Sequence, residues 1–157
     1  MKLQLNILEN LFTIHRFPQN QEIPNQVYES QFYSISKTDD ELSIVCNSTT
    51  RLNSEKSETG WSCIKVEGPL DFSLTGILAK ISTVLAEAEI SIFVISTFDT
   101  DYILVKSENL PVFLDLVGVY SAINRKRRHF TGKYGALAGP SNRNLTKIHV
   151  YVRLIGV

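Results

Sequence analysis

The sequence predicts an α+β fold, and three observations lead there. Short runs in which apolar and polar residues alternate recur from the N-terminus onward, as strands with one buried face require. Residues 74–85 instead repeat their apolar positions at the helical period. Between residues 61 and 117 these patterns follow one another as strand, helix, strand, strand, helix.

The elements can be justified in order. Leu3, Leu5 and Ile7 alternate with polar neighbours and predict a strand, and residues 12–17 predict a second. Pro18 and Pro24 bracket a polar loop, and residues 24–30 can form one short helix with a proline near its start. Residues 32–36 and 42–46 are further strands. The turn formers Lys37, Thr38, Asp39, Asp40 and Glu41 between them make a hairpin. Residues 47–60 are a polar, Ser/Thr-rich connection with no core-facing pattern beyond Leu52. Residues 63–67 form a strand stopped by Gly68-Pro69.

The clearest helix follows. Leu74, Ile77, Leu78, Ile81, Val84 and Leu85 lie on one face, with Asp71 or Ser73 as the N-cap. Residues 91–96 have almost no polar face, which predicts a central strand. Phe98-Asp99-Thr100 is a tight turn, and residues 102–105 return as another strand. A second helix starts at Glu108, with Val112, Phe113, Leu116 and Val117 on one side. This half is a ferredoxin-like βαββαβ unit that lacks only its last strand, and the first half is a degenerate version of the same unit. The expected division is residues 1–58, 59–117 and a separate segment, 118–157.

That last segment differs in charge. It carries eight of the sixteen basic residues and none of the sixteen acidic ones, in a chain whose net charge is zero. Helical pattern can continue through Tyr120 and Ile123 into Arg125-Lys126-Arg127-Arg128, where cations suit a helix C-terminus. Residues 147–154 alternate as a good strand, which could be the missing sixth element after an insertion of roughly 25 residues, long for such a connection. Three readings of the segment stand side by side: a solvated basic helix end, a surface for nucleic acid or another polyanion, and a foreign or frameshifted C-terminus.

Hydrophobic residues make up 43% of the 157, enough to build a core. No apolar run approaches the roughly 18 residues a membrane span needs, and the first residues lack a signal-peptide pattern. The expectation is a cytoplasmic protein. Cys46 and Cys63 lie 17 residues apart outside any CxxC pair and are expected as reduced strand cysteines. No phosphate-binding glycine loop, nucleophile elbow or metal-ligand spacing around His15, His129 or His149 occurs. An enzyme is therefore not expected, nor a cofactor or a metal.

Two short stretches do suggest chemistry. Asp71, Phe72, Ser73, Leu74, Thr75 and Gly76 form a strand-to-helix turn whose free N–H groups suit a carboxylate. Thr97, Phe98, Asp99 and Asp101 form a hairpin tip with two carboxylates, suited to an ammonium or a cationic side chain. Together they fit the two charges of an amino acid. The same residues also have a plain structural use, with Asp71 capping the helix and Asp99 making the turn.

The strings Val66-Glu67-Gly68-Pro69-Leu70-Asp71-Phe72-Ser73-Leu74-Thr75-Gly76-Ile77-Leu78 and Ile95-Ser96-Thr97-Phe98-Asp99-Thr100-Asp101-Tyr102-Ile103-Leu104-Val105 closely resemble the ACT domain family related to aspartokinase regulatory domains. Residues 32–38 and 41–45 resemble the N-terminal partner unit, so that the likeness covers about residues 1–117. The chain looks like the small tandem ACT proteins and is similar to the cytosolic arginine sensors of the animal TOR pathway. The resemblance implies two ACT-like units packed side by side, with an amino acid held at an interface between units. It implies ligand contacts at residues 71–76 and at Thr97, Phe98 and Asp101, with Ser91 and Ile92 contributing from a facing unit. The chain departs from the sensors at Asp71, Leu74 and Thr100, where they carry a glycine, an acidic residue and an aromatic. Val84 stands where the family normally has proline. The departures leave the identity of the amino acid open. The resemblance implies a regulatory protein, as a homo-dimer or with a protein partner. The alternatives are a ligand-free interaction or dimerisation module, or a subunit regulating an amino-acid-pathway kinase.

Overall fold

The computed structural model describes residues 2–67, 76–117, 119–121 and 149–153. The strands are β1 (Lys2–Ile7), β2 (Phe12–Phe17), β3 (Ser34–Lys37), β4 (Leu42–Asn47), β5 (Lys56–Val66), β6 (Ile92–Ser96), β7 (Asp101–Lys106), β8 (Val119–Ser121) and β9 (His149–Arg153). The helices are α1 (Ile77–Glu87) and α2 (Leu110–Leu116), with short 3-10 turns at Asn25–Glu29 and Ser107–Asn109.

The architecture is organised by β5, at 11 residues the longest described strand. β1 and β2 run one after the other along one of its edges, from Leu5 opposite Val66 to Arg16 opposite Lys56. Between them the chain bends through Asn10, whose φ of 71° is tolerated better by asparagine than by most side chains. The Leu8 N–H keeps contact across the bend by donating to the Cys63 carbonyl at 2.9 Å. On the other edge of β5, β7 pairs with Trp61–Lys65, and β6 flanks β7. β4 and then β3 extend the sheet beyond β2, whereas β9 and then β8 extend it beyond β1. Every one of these pairings is antiparallel.

Three apolar clusters hold the curled sheet. Leu5, Ile64, Val66, Ile103 and Val105 meet Ile81 and Leu85 of α1 and Phe113 of α2 under the helices. Phe17, Val27, Leu42, Ile44 and Cys46 form a smaller core beneath the 3-10 turn of the first unit. Phe12, Val45, Trp61, Cys63 and Leu104 join the two units, with Phe32, Phe93, Ile95 and Tyr102 packed against them. Each such large apolar side chain stabilises the fold by roughly 1.5–3 kcal/mol relative to exposure.

The ferredoxin-like α+β class is borne out, with four corrections to its details. The fourth strand of the second unit, beside β5, is β1 from the opposite end of the chain. β9 pairs with the far edge of β1 and not with β5. Leu5 is the reason: it is fully buried among Ile64, Val66 and Phe113, so the strand carrying it belongs to that core. β6 is an edge strand among the described residues and not a central one. Its apolar residues serve two clusters, Ile92 against the helix side and Phe93 and Ile95 against the first unit. β5 begins at Lys56, inside the stretch read as a connection, because its first residues pair with β2 while their side chains stay exposed. Helical structure does not continue through Tyr120, which lies in β8 opposite Tyr151.

Candidate functional site

The hairpin joining β6 to β7 is built by threonines. The Thr97 N–H and hydroxyl both donate to the Thr100 carbonyl, at 2.9 and 2.8 Å. The Thr100 N–H returns a bond to Thr97 Oγ1 at 3.3 Å. Thr100 is buried, and its hydroxyl donates to the Val66 carbonyl at the end of β5. The hairpin is thereby tied to the strand end from which the chain leads toward α1. Next to this turn the Ser96 hydroxyl donates to Asp101 Oδ1 at 2.5 Å, a short charge-assisted bond that orients the carboxylate. Phe98 projects from the tip, 80% exposed.

Of the sequence-predicted contacts, Asp71, Phe72, Ser73, Leu74 and Thr75 lie outside the described residues. Gly76 occupies the N-cap position of α1 with φ 91°, a left-handed conformation that costs other residues free energy. The position predicted for Asp71 or Ser73 is thus held by Gly76, where the described helix begins. Its carbonyl accepts from the Lys80 N–H at 2.9 Å, the first turn of the helix. Thr97, Phe98 and Asp101 come together at one end of the hairpin. Ser91 and Ile92 stand at the other end of β6, separated from Thr97 by the length of the strand, roughly 15 Å. Within one chain they do not share a site with the hairpin.

One feature escaped sequence reasoning. The outer strands of the two units, β3 and β6, face each other across an open groove of about 340 Å³. One wall carries Ser34, Ile35 and Ser36, and the floor Ser43 and Val45 of β4. The other wall is the β6 stretch from Phe93 to Ser96. Ser34 is in register with Val45 and Ser36 with Ser43, so these four residues share one sheet face. The only signal in the sequence was the Ser-Ile-Ser alternation, which shows that a hydroxyl face exists but not what it faces. Ser96 belongs both to the groove and to the Asp101 pair.

The two cysteines are chemically quiet. Burial pushes the Cys63 thiol up to about 12 and raises Cys46 as well, so both stay protonated and unreactive at neutral pH. Both are free. No group of three or more His, Cys, Asp or Glu able to hold a metal occurs among the described residues. No described helix is long and apolar enough to cross a membrane.

A family model for the ACT domain matches residues 56–114, and a model described as an N-terminal domain matches residues 10–54. The chain is an ACT-domain protein. The cytosolic arginine sensor for mTORC1 subunit 1 is homologous to it at low identity. The Pongo abelii sensor is 30% identical and the human one 29%, each over 121 residues, or 71% of this chain and 36% of theirs. The ACT-domain chain thus spans about a third of the length of these curated relatives. A solved Agobacterium tumefaciens protein is 41% identical with a TM-score of 0.67, covering 71% of this chain and 84% of that one. An aspartate kinase from Clostridium acetobutylicum shares the fold alone, at 13% identity and TM-score 0.52, over 71% of this chain and 32% of the kinase.

Proposed function

We propose that this chain is a non-catalytic, amino-acid-binding regulatory protein of the ACT type, with its ligand held where ACT units meet. The carrying observation is the oriented Asp101 carboxylate, set by Ser96 at the end of the hairpin that Thr100 ties to the outlet of β5. Asp101, Thr97 and Phe98 take the ligand's ammonium. Residues Asp71 to Gly76 take its carboxylate at the start of α1, where free N–H groups and the helix dipole favour an anion. Ser91 and Ile92 reach the ligand from a second ACT unit, so the full site needs a second copy or a protein partner.

In this reading the units are residues 1–58 and 59–117, with β1 lent to the second, and residues 118–157 are a basic segment whose described strands β8 and β9 extend the sheet beyond β1. The place of action is the cytoplasm. The relatives that are arginine sensors support an amino acid as the class of small molecule.

The test is a thermal melt of the full chain against each of the twenty amino acids at millimolar concentration. A ligand present at about 100 times its Kd adds roughly 2.7 kcal/mol to stability, which moves Tm by several degrees for a chain of this size. A selective shift supports a sensor and names its ligand. A flat panel removes the reading and leaves a ligand-free interaction module.

A further inference from the structure

We propose that the two units open and close on each other about a hinge at Asn10 and Gly60, and that Lys106 is the latch that holds them shut.

Among the described residues the chain passes between the units twice. It leaves the second unit from β1 to enter the first through β2, and it returns within β5. The two crossings lie side by side. The Leu8 N–H donates to the Cys63 carbonyl on one side of the bend, and Phe12 pairs with Trp61 on the other. Residues 9–11, between these anchors, take no register partner on β5, and Asn10 there has φ 71°. On β5 itself the register against β2 shifts between Phe12 and Ile14. Thr59 and Gly60 together oppose Thr13, with Gly60 at φ 77°. Such a bulge bends its strand and interrupts the ladder. Both connections therefore lose regular backbone pairing at the same level, and a few residues of this kind are enough to make a hinge.

The rest of the joint is suited to movement. Phe12, Val45, Trp61, Cys63 and Leu104 pack between the units, and the Phe32 and Tyr102 rings meet with centroids 4.4 Å apart. Apolar contact is non-directional, so a small change of angle keeps most of it. Away from β5 the outer strands β3 and β6 leave the open groove, and Ser34, Ser36 and Ser43 stand there in place of apolar residues. Water already has access to this mouth, and the hydroxyls can bond it.

Directional contacts fix the angle. Lys106 pairs with Trp61 at the end of β7, and its ammonium reaches back toward the bulge. It donates to Glu58 Oε2 at 3.0 Å and to the Thr59 carbonyl at 2.8 Å, and it lies 4.6 Å from the centre of the Trp61 ring. One side chain of the second unit thus holds the stretch of β5 that leads into the first. The Glu58 side chain is 72% exposed, so this hold weakens as salt rises.

The experiment measures the distance between the units in the full chain by pulsed electron spin resonance. Nitroxides are placed at Asp39→Cys, on the β3–β4 hairpin, and at Ala86→Cys, on α1, both exposed positions. Cys46 and Cys63 are buried, and the chain without added cysteines checks that they stay unlabelled. Lys106→Met keeps an apolar stem beside Trp61 and removes the ammonium. The expected result is a broader distance distribution in Lys106→Met than in the labelled parent. The parent is expected to broaden likewise as ionic strength rises from roughly 0.01 to 1 M. Equal distributions for the variant and for the parent at low and high salt make the two units one rigid body and overturn the proposal. Broadening in only one of the two arms overturns Lys106 as the latch. Should Lys106→Met fail to fold, the salt series decides alone, broadening supporting the latch and its absence overturning it.

Discussion

Ser96 and Asp101 stand opposite each other at the outermost register position of the β6–β7 pair, and the serine hydroxyl donates to the aspartate at 2.5 Å. This bond needs both residues to leave the sheet on the same face, which cross-strand register guarantees. Ser96 is exposed and Asp101 only half-buried, so the bond adds little to folding, and its value lies in orienting the carboxylate.

The first prediction follows. Asp101→Ala is expected to abolish the amino-acid-induced shift of Tm while changing the stability of the free protein by less than about 1 kcal/mol, as befits a partly exposed polar pair. Comparing melts of the variant with and without ligand checks it. A retained shift removes Asp101 from the site.

Thr100 is the opposite case, buried and facing the Val66 carbonyl. Thr100→Val keeps the shape and removes the hydroxyl, leaving a buried carbonyl without its side-chain donor. The expected loss is about 1–3 kcal/mol, read by chemical denaturation. Because the bond ties the hairpin to β5, faster amide exchange is expected at residues 96–102, with the first unit unchanged.

How much of this was legible in the sequence depends on whether the signal was local. β2, β4 and β7 were found within a residue or two because alternation is written in each strand alone, as in Phe12–Phe17. Lys56 to Gly60 were missed because both of their faces are polar, and their strand character comes from pairing with β2. The sequence makes β6 look central because Ile92, Phe93, Val94 and Ile95 are all apolar. A strand buried by packing on both faces has the same pattern as one flanked by strands on both edges. The site divides in the same way. Thr97, Phe98 and Asp101 are adjacent in sequence and were found together. The groove was not found, because Ser34, Ser43 and Phe93 meet only once the sheet has curled.

The N-terminal strand provides a third test. Leu5 is fully buried in the core of the second unit, opposite Val66. Leu5→Ala is expected to cost roughly 2–5 kcal/mol, the range for a large-to-small change in a packed core. The location of the damage is more informative than its size. Loss of protection is expected in β5, β7 and α2, with β3 and β4 spared, as read by hydrogen exchange. The reverse pattern would mean that β1 serves the first unit.

Gly76 is tested by Gly76→Ala. Among the described residues no atom crowds an added Cβ, so the cost expected there is that of φ 91°, about 1–2 kcal/mol for a residue forced into the left-handed region. If the turn before α1 holds a ligand carboxylate, the variant is also expected to weaken amino-acid binding beyond what lower stability explains. Equal Kd for both proteins would confine Gly76 to a backbone role.

His15 sets the pH dependence. Its ring is buried, with Nδ1 at 2.9 Å from Ser54 Oγ and Nε2 without a hydrogen-bond partner among the described residues. Desolvation by burial lowers its pKa from the ordinary 6.5. The folded protein therefore resists the proton that the unfolded chain accepts. The contribution of neutral His15 is complete above pH 6.5 and is lost as pH falls from there through the lowered folded value. Over that window stability is expected to decline with a slope of up to about 1.4 kcal/mol per pH unit. His15→Leu removes the titrating ring and keeps apolar volume beside Phe17, whose ring lies 6.2 Å away. The variant's denaturation midpoint is expected to stay flat across the same window, before carboxylate titration begins at lower pH. An unchanged slope in the variant would assign the acid sensitivity to another group.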